Sequence, residues 1–504
     1  MDFAQFIIDL LLFFVYSLAL LLIITWLLRF WKLYVNQKYV NNLKWVMLEI
    51  KIPRDIDKNP VAMEIALHSF LQTGGVSKAF DREFLGKMPA YFSLEIASLE
   101  GIIHFYVRTE QKYRPLIEAN FYSQYPGIEI TEAEDYTKLI HFEHNTDESS
   151  LWGVRYKTGE TWNPYPGEQN RKDKDYEMPA DFKPLKTYVD YGLDKDPKEE
   201  YKNDPITPII EFLGSMGKGE YAWYQIMIQD SEGVFSGKKF PKTYIDPKTQ
   251  KRMNLKEMAD EYKKNVRKKL KHAKGSTPKD EYGEDKYIPE VKDKEGVVIK
   301  EKEKIIIKED VFETKTEQSL TQEEKDEIDA INLKMSKPLV RAFVRIGYFV
   351  KKGTKYNASN IPTTLSVFKH FASRYNSFTL NPTDPYSYPW EDTFKRRKPW
   401  RAEEFFNAYV KREGFYPLVE ERKTLDKNED IFFFPYKTNV RSTWRMFYEV
   451  LFHPFSKPEA TKDVCTLNLE EVATLWHFPG AVAQTPTLPR IDSTKGVAPT
   501  NLPM

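Results

Sequence analysis

Chemistry in this chain would have to come from a few short clusters. His141-Phe-Glu-His144, followed by Asp147 and Glu148, supplies metal-ligand residue types. The histidines are three apart in a polar stretch and lack the His-Glu-x-x-His spacing that sets two imidazoles on one helix face, so the segment reads as a surface loop. A phosphate-cradling loop needs glycine-rich backbone N–H groups followed by Lys and Ser/Thr at a helix start. Gly214-Ser-Met-Gly217-Lys-Gly219 and Gly347-Tyr-Phe-Val-Lys-Lys-Gly353-Thr-Lys355 come nearest. Neither has the spacing: the first reads as a helix end and the second as the exit from a strand.

Phe394-Lys-Arg-Arg-Lys-Pro-Trp-Arg401 sets a run of positive charge beside two aromatics. Lys395, Arg396, Arg397, Lys398, Trp400 and Arg401 are therefore candidate contacts for nucleic-acid phosphates and stacked bases, or for acidic headgroups at a membrane surface. The alternative is a solvated loop that Trp400 pins to the core. Near the C-terminus, Leu469, Val472, Ala473 and Trp476 fall at i, i+3, i+4 and i+7 and share one apolar helix face. Asn468 can cap that helix, Glu470 and Glu471 suit its first turn, and Pro479-Gly480 stops it. The face either packs on the chain's own second module or docks a partner subunit.

No Gly-x-Ser-x-Gly elbow occurs. The single cysteine, Cys465, excludes a disulfide within the chain and reads as a small buried residue. Lys and Arg total 75 against 74 Asp and Glu, so no global field draws in nucleic acid or lipid and any such contact must be local. No metal, cofactor or catalytic residue is expected. A hydrolase with an unrecognised site is the remaining enzyme reading.

The elements that position these clusters begin with an apolar run at 6–28, interrupted only by Asp9 and followed by Arg29, Lys32, Lys38 and Lys44. Its length suits a bilayer, and the basic flank sets the bulk of the chain inside. The expectation is a single-pass inner-membrane anchor with residues 1–5 outside and the rest cytoplasmic. Residues 40–150 follow a β-α-β-β-α-β order, the ferredoxin-like split βαβ arrangement, with Glu100-Gly101 as a two-residue hairpin. An irregular connector is expected over 151–205. A second α+β module of βαβ type follows over 206–455, its 275–320 insertion rich in Lys, Glu and Asp and either disordered or a solvated extended hairpin. A C-terminal helix lies within 456–483 and an extended tail over 484–504. The fold class is thus α+β: a transmembrane helix followed by two ferredoxin-like modules.

Several strings resemble a family. They are Trp45-Val-Met-Leu-Glu-Ile-Lys-Ile-Pro-Arg54, Tyr91-Phe-Ser-Leu-Glu-Ile-Ala-Ser98, Ile103-His-Phe-Tyr-Val-Arg108, Glu118-Ala-Asn-Phe-Tyr-Ser-Gln-Tyr-Pro126 and Gly217-Lys-Gly-Glu-Tyr-Ala-Trp-Tyr-Gln-Ile226, together with the stretch 467–480 and Pro499-Thr-Asn-Leu-Pro503. They resemble a domain-of-unknown-function family of membrane-anchored proteins of candidate-phyla bacteria, whose relatives are type IV secretion or conjugative DNA-transfer proteins. In the motor-bearing relatives this region precedes a P-loop ATPase domain. The resemblance implies the platform of a transfer machine without its motor: a non-catalytic scaffold or adaptor, with a P-loop ATPase supplied in trans and a homo-oligomer as a further expectation. The rival is a DNA- or anionic-lipid-binding module.

Overall fold

The computed structural model describes residues 3–54, 58–73, 80–81, 84–142, 149–162, 178–195, 204–230, 244–245, 252–271, 287–288, 291–292, 298–300, 303–304, 311–314, 320–383, 397–415, 464–480 and 487–491. Alternating apolar and polar residues make strands whose two faces differ, and ten such strands join one mainly antiparallel sheet.

The first half of that sheet is β1 (Trp45–Pro53), β2 (Tyr91–Leu99), β3 (Ile102–Glu110) and β4 (Glu129–Glu132). Helices α2 (Pro60–His68) and α3 (Arg114–Gln124) connect them. Spatially the order is β4-β1-β3-β2. Glu100 and Gly101 close the β2–β3 hairpin with positive φ at both positions, 55° and 92°, as a primed two-residue turn requires.

The second half is β5 (Ser149–Thr158), α4 (Thr207–Gly214), β6 (Glu220–Asp230), β7 (Leu339–Lys351), α7 (Asn360–Ser366) and β8 (Phe378–Pro382). Its spatial order, β8-β5-β7-β6, repeats that of the first half. Between β6 and β7 lie α5 (Leu255–Val266) and α6 (Gln322–Ser336). Antiparallel pairing of β2 with β6, from Tyr91↔Gln229 to Leu99↔Tyr221, fuses the halves edge to edge. Two late strands complete the sheet: β9 (Cys465–Asn468) pairs with β7 and β10 (Arg490–Ile491) runs parallel to β1.

The sheet is covered on both faces. One carries the larger core, where Leu94, Phe105, Tyr224 and Ile346 meet α2, α3, α4 and α9 (Leu469–Leu475). Met47, Ala97, Tyr106, Trp223 and Phe349 face the other way and pack under α8 (Arg397–Lys411) through Phe405, Phe406 and Tyr409.

The expected fold is corrected in two respects. First, α1 is one continuous helix, Phe3–Asn42; no Gly or Pro ends it at residue 28. The apolar run is one part of a longer rod whose remainder carries Arg29, Lys32, Lys38 and four side-chain amides, and Val35 and Asn36 are buried. Among the described residues no helix is long and apolar enough to cross a membrane, so the transmembrane helix at 6–28 is not supported. Second, the halves are not separate modules. They share one sheet, because the edge strands β2 and β6 satisfy each other's backbone groups where two modules would each leave an edge open.

Boundaries shift with this. The second half begins at β5, inside the expected connector, and residues 188–195 form turns. The basic helix α5 stops at Val266, and Lys268–Lys271 pairs with Val311–Thr314. Tyr287–Ile288 pairs with Glu303–Lys304 and Val291–Lys292 with Val298–Lys300. In the described parts of the insertion, the extended-hairpin alternative is the one present.

Candidate functional site

One group of ionisable residues that the fold brings together lies under α8, where the halves meet. Glu95 is in mid-β2 and Gln225 in mid-β6; they face each other in register, and Arg345 of β7 faces Gln225 in turn. All three are fully buried. Arg412, just past α8, reaches Glu95 with two N–H groups, each at 3.1 Å. It also donates to both oxygens of Asp135. Glu95 accepts further bonds from Ser93 (2.5 Å), Tyr136 (2.6 Å) and Gln225 (2.7 Å). Tyr136 lies 3.0 Å from the Tyr409 hydroxyl. Arg345 donates to Gln225 (2.7 Å) and to the carbonyls of Ala408 and Glu413 at the C-terminal end of α8, where the helix dipole favours a cation.

Electrostatics follow from this packing. Burial alone would raise the Glu95 carboxyl, but the Arg412 charge and the bonds from Arg412, Ser93 and Tyr136 outweigh it and hold it below the ordinary carboxylate range. Burial opposes the Arg412 charge as well, and Glu95, Tyr136 and Asp135 more than offset it. Burial pushes the Tyr136 and Tyr409 phenols far up. Both Glu95 oxygens are engaged and fully buried, and Asp135, at 26% exposure, is the member of the arrangement nearest solvent; the arrangement holds α8 to the sheet.

The groove beside it is different. Arg155, Asn381, Thr383, Arg401, Glu404 and Phe405 line a shallow opening between β5, β8 and the first half of α8. Arg155 and Arg401 are 9% and 8% exposed. Glu404 Oε1 lies 3.9 Å from Arg155 Nη2, too far for a charge-assisted hydrogen bond. Arg401 Nη2 donates to Asn381 Oδ1 at 3.3 Å and to the Pro382 carbonyl at 3.4 Å.

Of the basic-aromatic cluster, Arg401 alone has a described side chain. Lys395 and Arg396 lie outside the described residues, and Arg397, Lys398 and Trp400 are in the first turn of α8 with side chains outside them. Pro399 falls within that first turn, where a missing N–H costs nothing, so the cluster is a helix start as well as a charged run.

The proposed docking face is not a surface. Leu469, Val472, Ala473 and Trp476 are all 0% exposed, and Glu470 and Glu471 are buried with them. Asn468 caps α9 in a reciprocal box with Glu471. The preceding β9 fixes the helix beside β7, and α9 packs on α2. Trp476 lies in a ring cluster with Phe105, Phe121 and Phe478. The amphipathic spacing was a core signature, and the docking expectation is withdrawn.

Charged groups around α9 serve as braces. Glu471 accepts from Lys334 at 3.0 Å with both side chains fully buried. Lys337 bridges Glu64 and Glu470. His477 joins Asp204 to the Ala473 carbonyl. Cys465 is buried, and burial pushes its thiol well up. His144, Asp147 and Glu148 lie outside the described residues, and among those described no group of three or more His, Cys, Asp or Glu could hold a metal. Gly214 ends α4, while Gly347 is within β7.

Sequence reasoning missed Glu95, Gln225, Arg345, Arg412 and Arg155. A signal existed for two of them. Glu95 and Arg345 sit mid-strand in largely apolar strands, and a charge in a sheet covered on both faces has to be paired. Their partners are remote in sequence and carry no local mark. No family model, curated protein or solved structure matches the chain.

Proposed function

We propose that this protein is a non-catalytic scaffold or adaptor, of the kind that its resemblance to secretion and conjugative-transfer proteins implies, working with a P-loop motor supplied by another chain. The observation that carries the reading is the use of its buried acids and bases. Glu95, Asp135, Glu471, Asp204, Arg412, Lys334 and His477 are each engaged with one another or with backbone. They brace segments up to 317 residues apart, and among the described residues none of these pairs lines an open cleft. A catalytic site needs the opposite: a perturbed group with access to a substrate. A sheet covered on both faces and cross-braced in this way suits a platform that keeps its shape under load.

Affinity isolation of the full chain from its native cells, with cross-linking and mass spectrometry, tests the reading. Recovery of a P-loop ATPase cross-linked to this chain is expected, with ATP turnover by the purified chain alone at background. Turnover that survives purification and falls on Glu95→Gln would overturn the scaffold reading.

A further inference from the structure

We propose that an aromatic collar, formed where the segment 80–87 meets α1, adsorbs to an anionic lipid surface, its rings entering the headgroup layer without a spanning helix. The inference is independent of the scaffold reading. Trp31 and Tyr34 lie about one turn apart on α1, with ring centroids at 6.3 Å. Phe80 and Phe84 stack at 5.2 Å, in a turn where the Phe84 N–H bonds the Phe80 carbonyl at 2.9 Å. All four rings are exposed, and so is Leu85. Exposed apolar side chains continue from Trp31 along α1 at Leu27, Ile24 and Ile23. Large apolar groups gathered in the open in this way mark an interaction site.

The two ring pairs are held beside each other. A Cβ added at Gly86 would stand 2.4 Å from the Val35 carbonyl and 2.7 Å from the Asn36 nitrogen, and Gly86 sits at φ 65°. Glycine is what lets the two backbones come this close. Val35 and Asn36 are buried, next in sequence to exposed Tyr34. The Lys87 N–H bonds the Asp81 carbonyl at 3.0 Å, and the Lys87 ammonium pairs with the Asp81 carboxylate at 3.2 Å, which ties down the turn that carries Phe80 and Phe84. Rings presented on a fixed turn lose little freedom on binding.

Charge and residue type name the partner. Residues 28–44 carry Arg29, Lys32, Lys38 and Lys44 and no acid, and residues 80–87 carry Arg82 and Lys87 against Asp81 and Glu83. Beside Tyr39, Glu110 and Lys112 pair at 2.6 Å and cancel. Six basic residues on these two segments thus stand against two acidic ones. Trp and Tyr in the open with Lys and Arg beside them are the composition of a membrane interface: amphipathic rings sit at headgroup depth, and basic side chains are drawn to anionic lipid. A second copy of the chain seated on this collar would set like charges against each other.

Flotation of the full chain with lipid vesicles tests this. Binding to mixed phosphatidylglycerol–phosphatidylcholine vesicles is expected, stronger than to phosphatidylcholine alone and weakened by salt. Phe80→Ser combined with Phe84→Ser should weaken it about tenfold or more, since both rings give up burial in the interface. Lys38→Gln should weaken it about fivefold, the worth of one basic residue beside an anionic surface. All three side chains are exposed, so these substitutions leave the core intact. Equal binding to neutral and anionic vesicles, or binding unmoved by the paired Phe substitutions, would overturn the proposal. A local probe separates the collar from the rest of α1. A polarity-sensitive fluorophore attached through Leu85→Cys should shift to the blue on anionic vesicles, while one attached through Leu333→Cys, at an exposed position of α6, should not; Cys465 is buried and stays unlabelled. No shift at residue 85, or self-association without lipid that the paired Phe substitutions abolish, refutes the lipid surface as the partner.

Discussion

Replacing Arg412 with Met should free α8 from the sheet, and by an amount the structure bounds. The Arg412 side chain is fully buried and makes two bonds to Glu95, whose side chain is also fully buried, and two to Asp135. Removing the cation leaves Glu95 charged in an apolar layer, and orphaning one member of a buried pair costs about 3–5 kcal/mol. Arg412 also sits at φ 55°. There its N–H bonds the Tyr409 carbonyl and the Glu413 N–H bonds that of Ala408, the helix-ending arrangement that ordinarily takes glycine. A non-glycine residue there costs roughly 1–2 kcal/mol, so Arg412→Gly should be milder than Arg412→Met by about 1 kcal/mol. In a chain of this size one global unfolding energy is not well defined, so the assay is amide hydrogen exchange within α8, which reads local opening. At neutral pH, Arg412→Met should speed exchange there by roughly 10²-fold or more. The pH dependence carries the sign. In the wild type, Glu95 titrates below its unfolded value, so its contribution is full above that value and fades as pH falls through the folded one. In Arg412→Met, burial without a counter-charge raises Glu95, so protonation relieves the strain and the variant's deficit shrinks toward pH 4. An acceleration under about fivefold at pH 7, or a deficit equal at pH 7 and pH 4.5, would refute the account of Glu95 as a charge held by Arg412.

Further outcomes follow from the braces around α9. Leu469→Asp should destabilise the chain by about 4 kcal/mol or more, because it buries a charge without a partner; a thermal melt left unchanged would restore the docking face. Trp476 Nε1 is buried without an acceptor, so Trp476→Phe should cost far less than the roughly 3–5 kcal/mol expected of Trp476→Ala in denaturant titration. The His477 ring nitrogens face a carbonyl and a carboxylate, both acceptors, so only the doubly protonated ring satisfies both. Burial would lower its pKa, yet the Asp204 charge and hydrogen bonds raise it, while Asp204 is held low, against its burial, chiefly by His477. The His477 contribution is therefore full below about pH 6.5 and lost as pH rises through the raised folded value; a melting series above pH 6.5 should decline in the wild type and flatten in His477→Gln. Cys465 should resist thiol reagents until the chain unfolds, because burial holds it protonated.

What was legible in the sequence was local. The Glu100-Gly101 turn and the Asn468 cap depend on neighbours within four residues, and both are present. Even where a cap residue precedes a helix, tertiary contacts can compete: Asn59 does not cap α2 with its side chain, which turns toward the Asp194 carbonyl. What no local pattern conveyed was the joining of the halves. An edge strand looks the same in sequence whether it meets water or another strand, so the β2–β6 pairing was hidden. That pairing explains where the buried charges lie. Each half contributes its second strand to the seam, and the midpoint of the β2–β6 ladder falls at Glu95 facing Gln225. Around that point the halves repeat in strand order but diverge in chemistry: one presents an acid, the other an amide, and the two guanidiniums that meet them, Arg412 and Arg345, both bind at the C-terminal end of α8. A symmetric pair of acids there would repel across the seam. Asymmetry at one position lets a single helix, held by one end, close the face of a sheet that two similar halves build together.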